Sequence, residues 1–241
     1  MRFFRRRETD PDPIWRGVYA SFAEVAASAE GHASQSWADA LIAEMEAVQR
    51  GAWTDDFAAE HEQLVLLIAA KNGARILDFG GGVGQTYAYL RRVLPRVRIE
   101  YELVELPAVL ELARRFHGDE VTLRADLEKT SADIVFVKSA LQYVDDHRDV
   151  LRRLFAIGAR FVVLEKFSGV AAPSYVTAQR NVSATPIPYR FISFDDVFAA
   201  ARDAGYNRLV WRRLPRVYDQ REFPPELRMG QASTLVFGKR D

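Results

Sequence analysis

Along this chain, apolar residues recur with two different periods, and the change between them divides it near residue 73. From about 34 to 50, SQSWADALIAEMEAVQRG places Trp37, Leu41, Met45 and Val48 on one helical face, with Ser34 or Ser36 as a possible cap and Gly51 as a stop. DDFAAEHEQLVLLIAAKNG predicts a second helix carrying Phe57, Leu64, Val65, Leu67 and Ile68 and ending on the left-handed signal Asn72-Gly73. From Ala74 onward, short apolar runs alternate with helical patterns. Strands are predicted at 75–80, 99–106, 121–124, 133–138, 160–166, 208–214 and 233–239. Helices fall between the first five, most clearly at Thr86–Val93, Ala108–Phe116 and Val150–Ile157. Buried-type strands separated by helices imply a parallel sheet covered on both faces. Only a turn-rich segment separates the last two strands, so an antiparallel ribbon is expected at the sheet edge. The expected fold is therefore α/β, a Rossmann-like, mostly parallel seven-stranded sheet with its last strand antiparallel. Residues 1–73 form an arm and helices that dock on or cap a domain spanning 74–241.

One connection is long. The 26 residues FSGVAAPSYVTAQRNVSATPIPYRFI separate Lys166 from Ser193. Loops beyond about 12–15 residues are uncommon in compact domains and are often lids, so 167–193 is expected to be lid-like. After it, Ser193 begins a Ser-x-x-acid cap for the helix FDDVFAAARDAGY, which Gly205 ends.

Composition narrows the chemistry. Lysine plus arginine equals aspartate plus glutamate at 33 each, so the chain lacks the basic excess of a dedicated nucleic-acid binder. With no cysteine, disulfides, thiol nucleophiles and thiolate zinc sites are excluded. His32, His61, His117 and His147 show no metal-ligand spacing, and no metal is expected. No apolar run approaches the ~18 residues of a spanning helix. The opening MRFFRRR lacks the apolar stretch of a signal peptide; it reads as a solvated terminus, with a weak contact to an anionic membrane surface as the other option. A cytoplasmic location is expected; the oligomeric state is left open.

The chemistry concentrates in ILDFGGGVGQTYAYL, where a strand ends on Asp78 and Gly80, Gly81, Gly82 and Gly84 form the turn into the next helix. Glycine permits positive φ and lets a ligand touch the backbone. The free amides and helix dipole at Gln85 and Thr86 favour an anionic group. No lysine follows for a phosphate loop, and G-x-G-x-x-G fails because Gln85 or Tyr87 stands where the last glycine is required. What fits is acid-x-G-x-G-x-G.

That spacing resembles the nucleotide-binding turn of class I S-adenosylmethionine-dependent methyltransferases, over roughly residues 74–166. The resemblance implies S-adenosylmethionine as cofactor, its ammonium near Asp78 and its carboxylate on the turn amides. Glu105, 21 residues past Gly84 at the end of the second strand, would accept from the ribose hydroxyls, with Leu106 beside the adenine. Otherwise Glu105 is a solvated glutamate. Asp126 would face the adenine amine with Leu127 as an apolar neighbour, or simply serve a turn. Ser139 and Ala140, in SALQYVDD, would line the methionine part, with Gln142 and Tyr143 facing the reacting end; Tyr143 equally suits a core position. Over its whole length the chain also resembles a poorly characterised bacterial methyltransferase-like group, through WRGVYASFAEV, ILDFGGGVGQTY, SALQYVDD and SYVTAQRNVSATPIPYRFIS.

The resemblance implies methyl transfer to a small organic molecule at oxygen or nitrogen; the alternative is a cofactor-binding module without transfer activity, acting as partner or regulator. The histidine that phenol methyltransferases often carry after the fifth strand is missing, since no histidine follows His147. The remaining base candidates are Glu165, otherwise paired with Lys166 or an arginine, and His147, otherwise solvated. From the long connection, Tyr175, Gln179, Arg180 and Tyr189 are expected to cover the substrate. Trp15, Tyr19 and Phe22, at helical spacing, would close the pocket or dock on the sheet.

Overall fold

The computed structural model describes residues 14–25, 35–180 and 186–240; the basic opening segment and Ser34 lie outside them. In chain order, β1 (Trp15–Tyr19) precedes three helices, α1 (Gln35–Gln49), α2 (Asp55–Ala59) and α3 (Glu62–Lys71). There follow β2 (Gly73–Phe79), α4 (Gln85–Val93), β3 (Arg98–Val104), α5 (Pro107–His117), β4 (Thr122–Arg124), β5 (Ile134–Lys138), α6 (His147–Ala156) and β6 (Phe161–Phe167). The last third holds β7 (Gly169–Val170), β8 (Tyr175–Gln179), β9 (Ile187–Ser193), α7 (Phe194–Asp203), β10 (Tyr206–Val217) and β11 (Gln231–Lys239).

Seven strands form one sheet in the order β10-β11-β6-β5-β2-β3-β4. Pairings among β4, β3, β2, β5 and β6 are parallel, and β11 runs antiparallel to both of its neighbours, as the spacing predicts. Because β2 is central, successive residues of its apolar run face opposite layers. Ile76 joins Leu64 and Ile68 of α3, Leu90 of α4 and Ala113 of α5 on one side. Leu77 joins Leu154 of α6, Val197 of α7, Val162 and Leu235 on the other. Met45 of α1 belongs to the first layer, so the N-terminal helices share a core with the sheet. Ser193 caps α7 as expected, its Oγ accepting from Asp195 N at 3.2 Å. Among the described residues no helix is long and apolar enough to cross a membrane.

Three local expectations are corrected. The helix over 55–71 is two helices, because the buried His61 imidazole takes the Phe57 carbonyl, Nδ1 to O at 2.6 Å, while its own backbone N–H turns to Ala58 O. The side chain thus replaces a rung of the helical ladder. Burial, helped by the nearby Lys138 cation, pushes His61 down to about 3, so it is neutral; with Nδ1 donating, Nε2 accepts from Thr86 Oγ1 at 3.1 Å. Secondly, much of the long connection is sheet. β8 and β9 form an antiparallel hairpin within a second sheet of order β1-β8-β9-β7. Thirdly, Trp15–Tyr19 is the outer strand of that sheet rather than a helical face, Trp15 pairing with Gln179 and Tyr19 with Val176 across a register shift between Arg16 and Tyr19.

Candidate active site

A cavity of about 540 Å³ opens along the carboxyl ends of β3, β2, β5 and β6, with a wall from the second sheet. Its place follows from topology: the chain builds outward from β2 in both directions, and the crevice where strand order reverses is where open α/β sheets bind ligands.

The glycine turn forms one side of this cavity, with Gly80, Gly81, Gly82, Gln85 and Thr86 on the wall. Gly80 has φ +70°, and a Cβ there would sit 2.3 Å from the Ala140 methyl, so the turn and the segment after β5 touch only because residue 80 has no side chain. Gly82 has φ +61° and donates its N–H to Glu105 Oε1 at 3.2 Å. The other oxygen of Glu105 accepts from Leu106 N at 2.7 Å. Desolvation pushes the Glu105 carboxyl up to about 7, against those two backbone donors. Glu105, Leu106, Ser139 and Ala140 all line the cavity, and Leu106 leaves half its surface open beside it.

Four expected cofactor contacts lie elsewhere. Asp78 is fully buried beneath the turn: Tyr101 donates its hydroxyl to Oδ2 at 2.5 Å, and Oδ1 has no partner among the described residues. Burial pushes its pKa up to about 6. It supports the turn from below and does not face the chamber. Gly84 is packed against His117, whose Nε2 would be 2.5 Å from a Cβ at residue 84. Asp126 is exposed and accepts from Glu128 N at 2.8 Å, a turn role; Ala125 before it is the residue on the wall. Leu127 packs into the core layer beside α6 and α7.

The acid–base candidates separate in the same way. Glu165 is buried within the sheet, accepts from Thr234 Oγ1 at 3.0 Å, and does not line the cavity. Burial pushes it up to about 7. His147 is buried between α6 and α7, its Nε2 3.1 Å from Asp196 Oδ2, and burial pushes its pKa down. Tyr143 does line the cavity and donates its hydroxyl to Gln179 Oε1 at 2.9 Å; burial pushes it up to about 12. Of the expected substrate residues, Gln179 and Tyr189 are on the wall. Gln142 is buried and donates to Lys166 O at 3.2 Å, Tyr175 donates to Leu227 O at 2.7 Å within a third core cluster, Arg180 is exposed, and Tyr19 lies off the wall.

Sequence reasoning missed a charged group in the cavity wall. Glu60, at the α2–α3 break, sits between Lys166 Nζ at 2.5 Å and Lys138 Nζ at 3.5 Å, one lysine to each oxygen. Burial alone would raise the Glu60 carboxyl, but the two ammonium groups outweigh it and hold it below the ordinary value. For Lys166, burial opposes the charge and Glu60 outweighs burial, so its pKa is raised. A signal existed for both lysines, each a polar residue at the end of an apolar strand on the sheet edge that binds ligands. No short-range pattern marked Glu60, Arg216 or Tyr218, which also line the cavity; Trp15, expected to close the pocket or dock on the sheet, lines it too.

No family model and no curated protein matches the chain. Solved structures do. A 1,6-didemethyltoxoflavin-N1-methyltransferase from Burkholderia thailandensis, with bound 1,6-didemethyltoxoflavin and S-adenosylhomocysteine, superposes with a TM-score of 0.53 at 19% identity, covering 98% of this chain and 99% of that one. An S-adenosylmethionine-bound amino pentose methyltransferase from Micromonospora echinaspora, involved in calicheamicin biosynthesis, gives 0.52 at 18% identity over 83% of this chain and 97% of that one. An S-adenosylmethionine-dependent methyltransferase from Clostridium acetobutylicum gives 0.51 at 12% identity over 85% and 99%. The chain therefore has the Rossmann-like fold of S-adenosylmethionine-dependent methyltransferases.

Proposed function

We propose that this protein is an S-adenosylmethionine-dependent methyltransferase acting on a small organic acceptor at oxygen or nitrogen. The observation that carries this reading is the joint between Glu105 and Gly82, where a cavity-lining carboxylate at the end of β3 meets a side-chain-free turn at the end of β2. The residues fit the cofactor: a Cβ at residue 80 or 82 would crowd that bend, and an acid at the end of the second strand suits a ribose diol. When bound, the cofactor supplies an electrophilic methyl group on sulfur. The amides of the turn and the N-terminus of α4 hold its carboxylate, Glu105 accepts from the ribose hydroxyls, and Leu106 covers the base. Tyr143, Gln179 and Tyr189 shape the acceptor end and align the nucleophile, which alone accounts for much of the rate in reactions of this kind. Because Glu165 and His147 face away from the cavity, the reading favours an acceptor that reacts without a strong protein base.

Calorimetric titration with S-adenosylhomocysteine tests it: saturable binding at one site per chain is expected, and no heat with either S-adenosylhomocysteine or S-adenosylmethionine ends the reading. A chain that binds both and yields no S-adenosylhomocysteine with any acceptor is instead the transfer-incompetent module. Glu105→Ala is expected to weaken binding by about 1–3 kcal/mol, the scale of a hydrogen bond to a charged group. The raised Glu105 pKa adds a pH signature. The ribose site needs the ionised form, so affinity should improve about tenfold from pH 6 to pH 8, as protons leave a carboxyl titrating near 7. Glu105→Gln should flatten that dependence; an unchanged slope would detach Glu105 from the site.

A further inference from the structure

We infer that the acceptor is a small, flat organic acid whose oxyanion, carboxylate or phosphate, is held between Lys166 and Arg216. The inference rests on the methyltransferase reading only for the word acceptor, since the anion pocket stands on its own geometry.

The sheet order sets the two ends of the cavity apart. Glu105 and the glycine turn belong to β3 and β2, whereas Lys166 ends β6 and Arg216 ends β10, on the far side of β5. Three strand spacings from β3 to β6 amount to about 14 Å. The cofactor groups assigned above therefore occupy one end and leave the other for the second reactant.

That other end carries surplus positive charge. Lys138, Lys166 and Arg216 line it, and Glu60 is the carboxylate set among them, already shared by both lysines. No ion pair joins Arg216 to a carboxylate among the described residues; its guanidinium lies over the Tyr218 ring, 4.9 Å from the centroid. It is close enough to Lys166 to disfavour the lysine's charge. Glu165 sits behind Lys166, and its pKa of about 7 means it is half protonated near neutrality. In a chain whose total charge is zero, this local excess is held against mutual repulsion and partial desolvation. An oxyanion relieves both, and a guanidinium beside an ammonium is well matched to it.

The side walls set the rest of the ligand's shape. Trp15, Tyr143, Tyr189 and Tyr218 line the same region. Trp15 lies 5.4 Å from Tyr189 and 5.1 Å from Tyr218, and Tyr143 lies 5.3 Å from Tyr189, ring centre to ring centre. Aromatic walls beside a fixed pair of cations favour a compact planar body with a charged edge.

The test uses the full chain with saturating S-adenosylhomocysteine, titrated calorimetrically with benzoate, phenyl phosphate and benzamide, the last a neutral counterpart of benzoate. At least one acid should bind tenfold or more tightly than benzamide, and the tighter acid identifies the group. Arg216→Leu and Lys166→Met should each weaken that acid tenfold or more, with S-adenosylhomocysteine affinity within twofold of wild type. Arg216 is exposed, so its variant tests the idea even if Lys166→Met disturbs folding through Glu60. Equal binding of benzamide and both acids, no binding of either acid, or variants that leave acid binding unchanged would overturn the inference. A large loss of S-adenosylhomocysteine affinity in the variants would also overturn it, by assigning the cations to the cofactor. If the wild-type chain binds no S-adenosylhomocysteine, the methyltransferase reading fails separately, and the acid titrations without it still decide the anion pocket.

Discussion

Gly82→Val should lower affinity for S-adenosylhomocysteine by at least about 100-fold, roughly 2.7 kcal/mol or more, while the chain stays folded. Residue 82 has φ +61°, where a β-branched side chain is strained by about 1–3 kcal/mol. Its Cβ would meet Gln85 Oε1 at 2.9 Å and Leu41 Cδ2 at 3.2 Å. Gln85 and Leu41 also line the cavity, so the new side chain crowds the cradle where it meets the edge of the first core layer, to which Leu41 belongs. Gln85 can swing away, which is why the fold should survive, given the 5–15 kcal/mol of a typical domain. The bend itself cannot both carry valine and keep the Gly82 N–H on Glu105. Calorimetry for affinity and circular dichroism for folding separate the two effects. A folded variant with wild-type affinity would contradict the assignment of this turn to the cofactor.

Glu165→Gln is expected to leave methyl transfer intact and to stabilise the protein at pH 8 by about 1–3 kcal/mol. The sign follows from the direction of the shift. Burial raises the folded carboxyl to about 7 from an ordinary 4.5, so between those values the native state holds more protons than the unfolded chain. Stability contributed by this group is therefore highest below pH 4.5, declines as pH rises to 7, and stays low above. Glutamine has no such penalty, and its amide oxygen still accepts from Thr234. Melting temperatures of wild type and variant should nearly coincide at pH 4.5 and separate at pH 8. Were Glu165 the base that removes a proton from the acceptor, the same substitution would cut turnover by about 10²–10⁴. A collapse of that size, with S-adenosylhomocysteine affinity unchanged, would restore Glu165 to the reaction.

Glu165 and Lys166 also explain why some site residues were legible beforehand and others were not. A regular strand would send adjacent residues to opposite faces. Lys166, however, has φ +52° and lies where the β6–β11 register shifts, so alternation alone does not assign one of the pair to the cavity and the other to the core. Which residue meets which depends on the layers packed against β6. The strand pattern placed both at the ligand-binding edge, and the structure puts Lys166 on the wall and Glu165 behind it. Gln142 and Tyr143 divide likewise. Asp78 was legible as a turn residue but not as a buried one, because the Tyr101 hydroxyl that occupies it comes from the neighbouring strand.

By itself, the sequence determined what spacing can encode: the alternation of strands and helices, the antiparallel closing strand, the glycine turn at the end of β2, and Glu105 at the end of β3. These are properties of contiguous segments, fixed by backbone geometry and by periods of two and 3.6. Only the tertiary structure decided the second sheet, in which Trp15 meets Gln179 across more than 160 residues, and the Glu60–Lys138–Lys166 group drawn from three separate elements. Such contacts depend on which faces are brought together when the core closes.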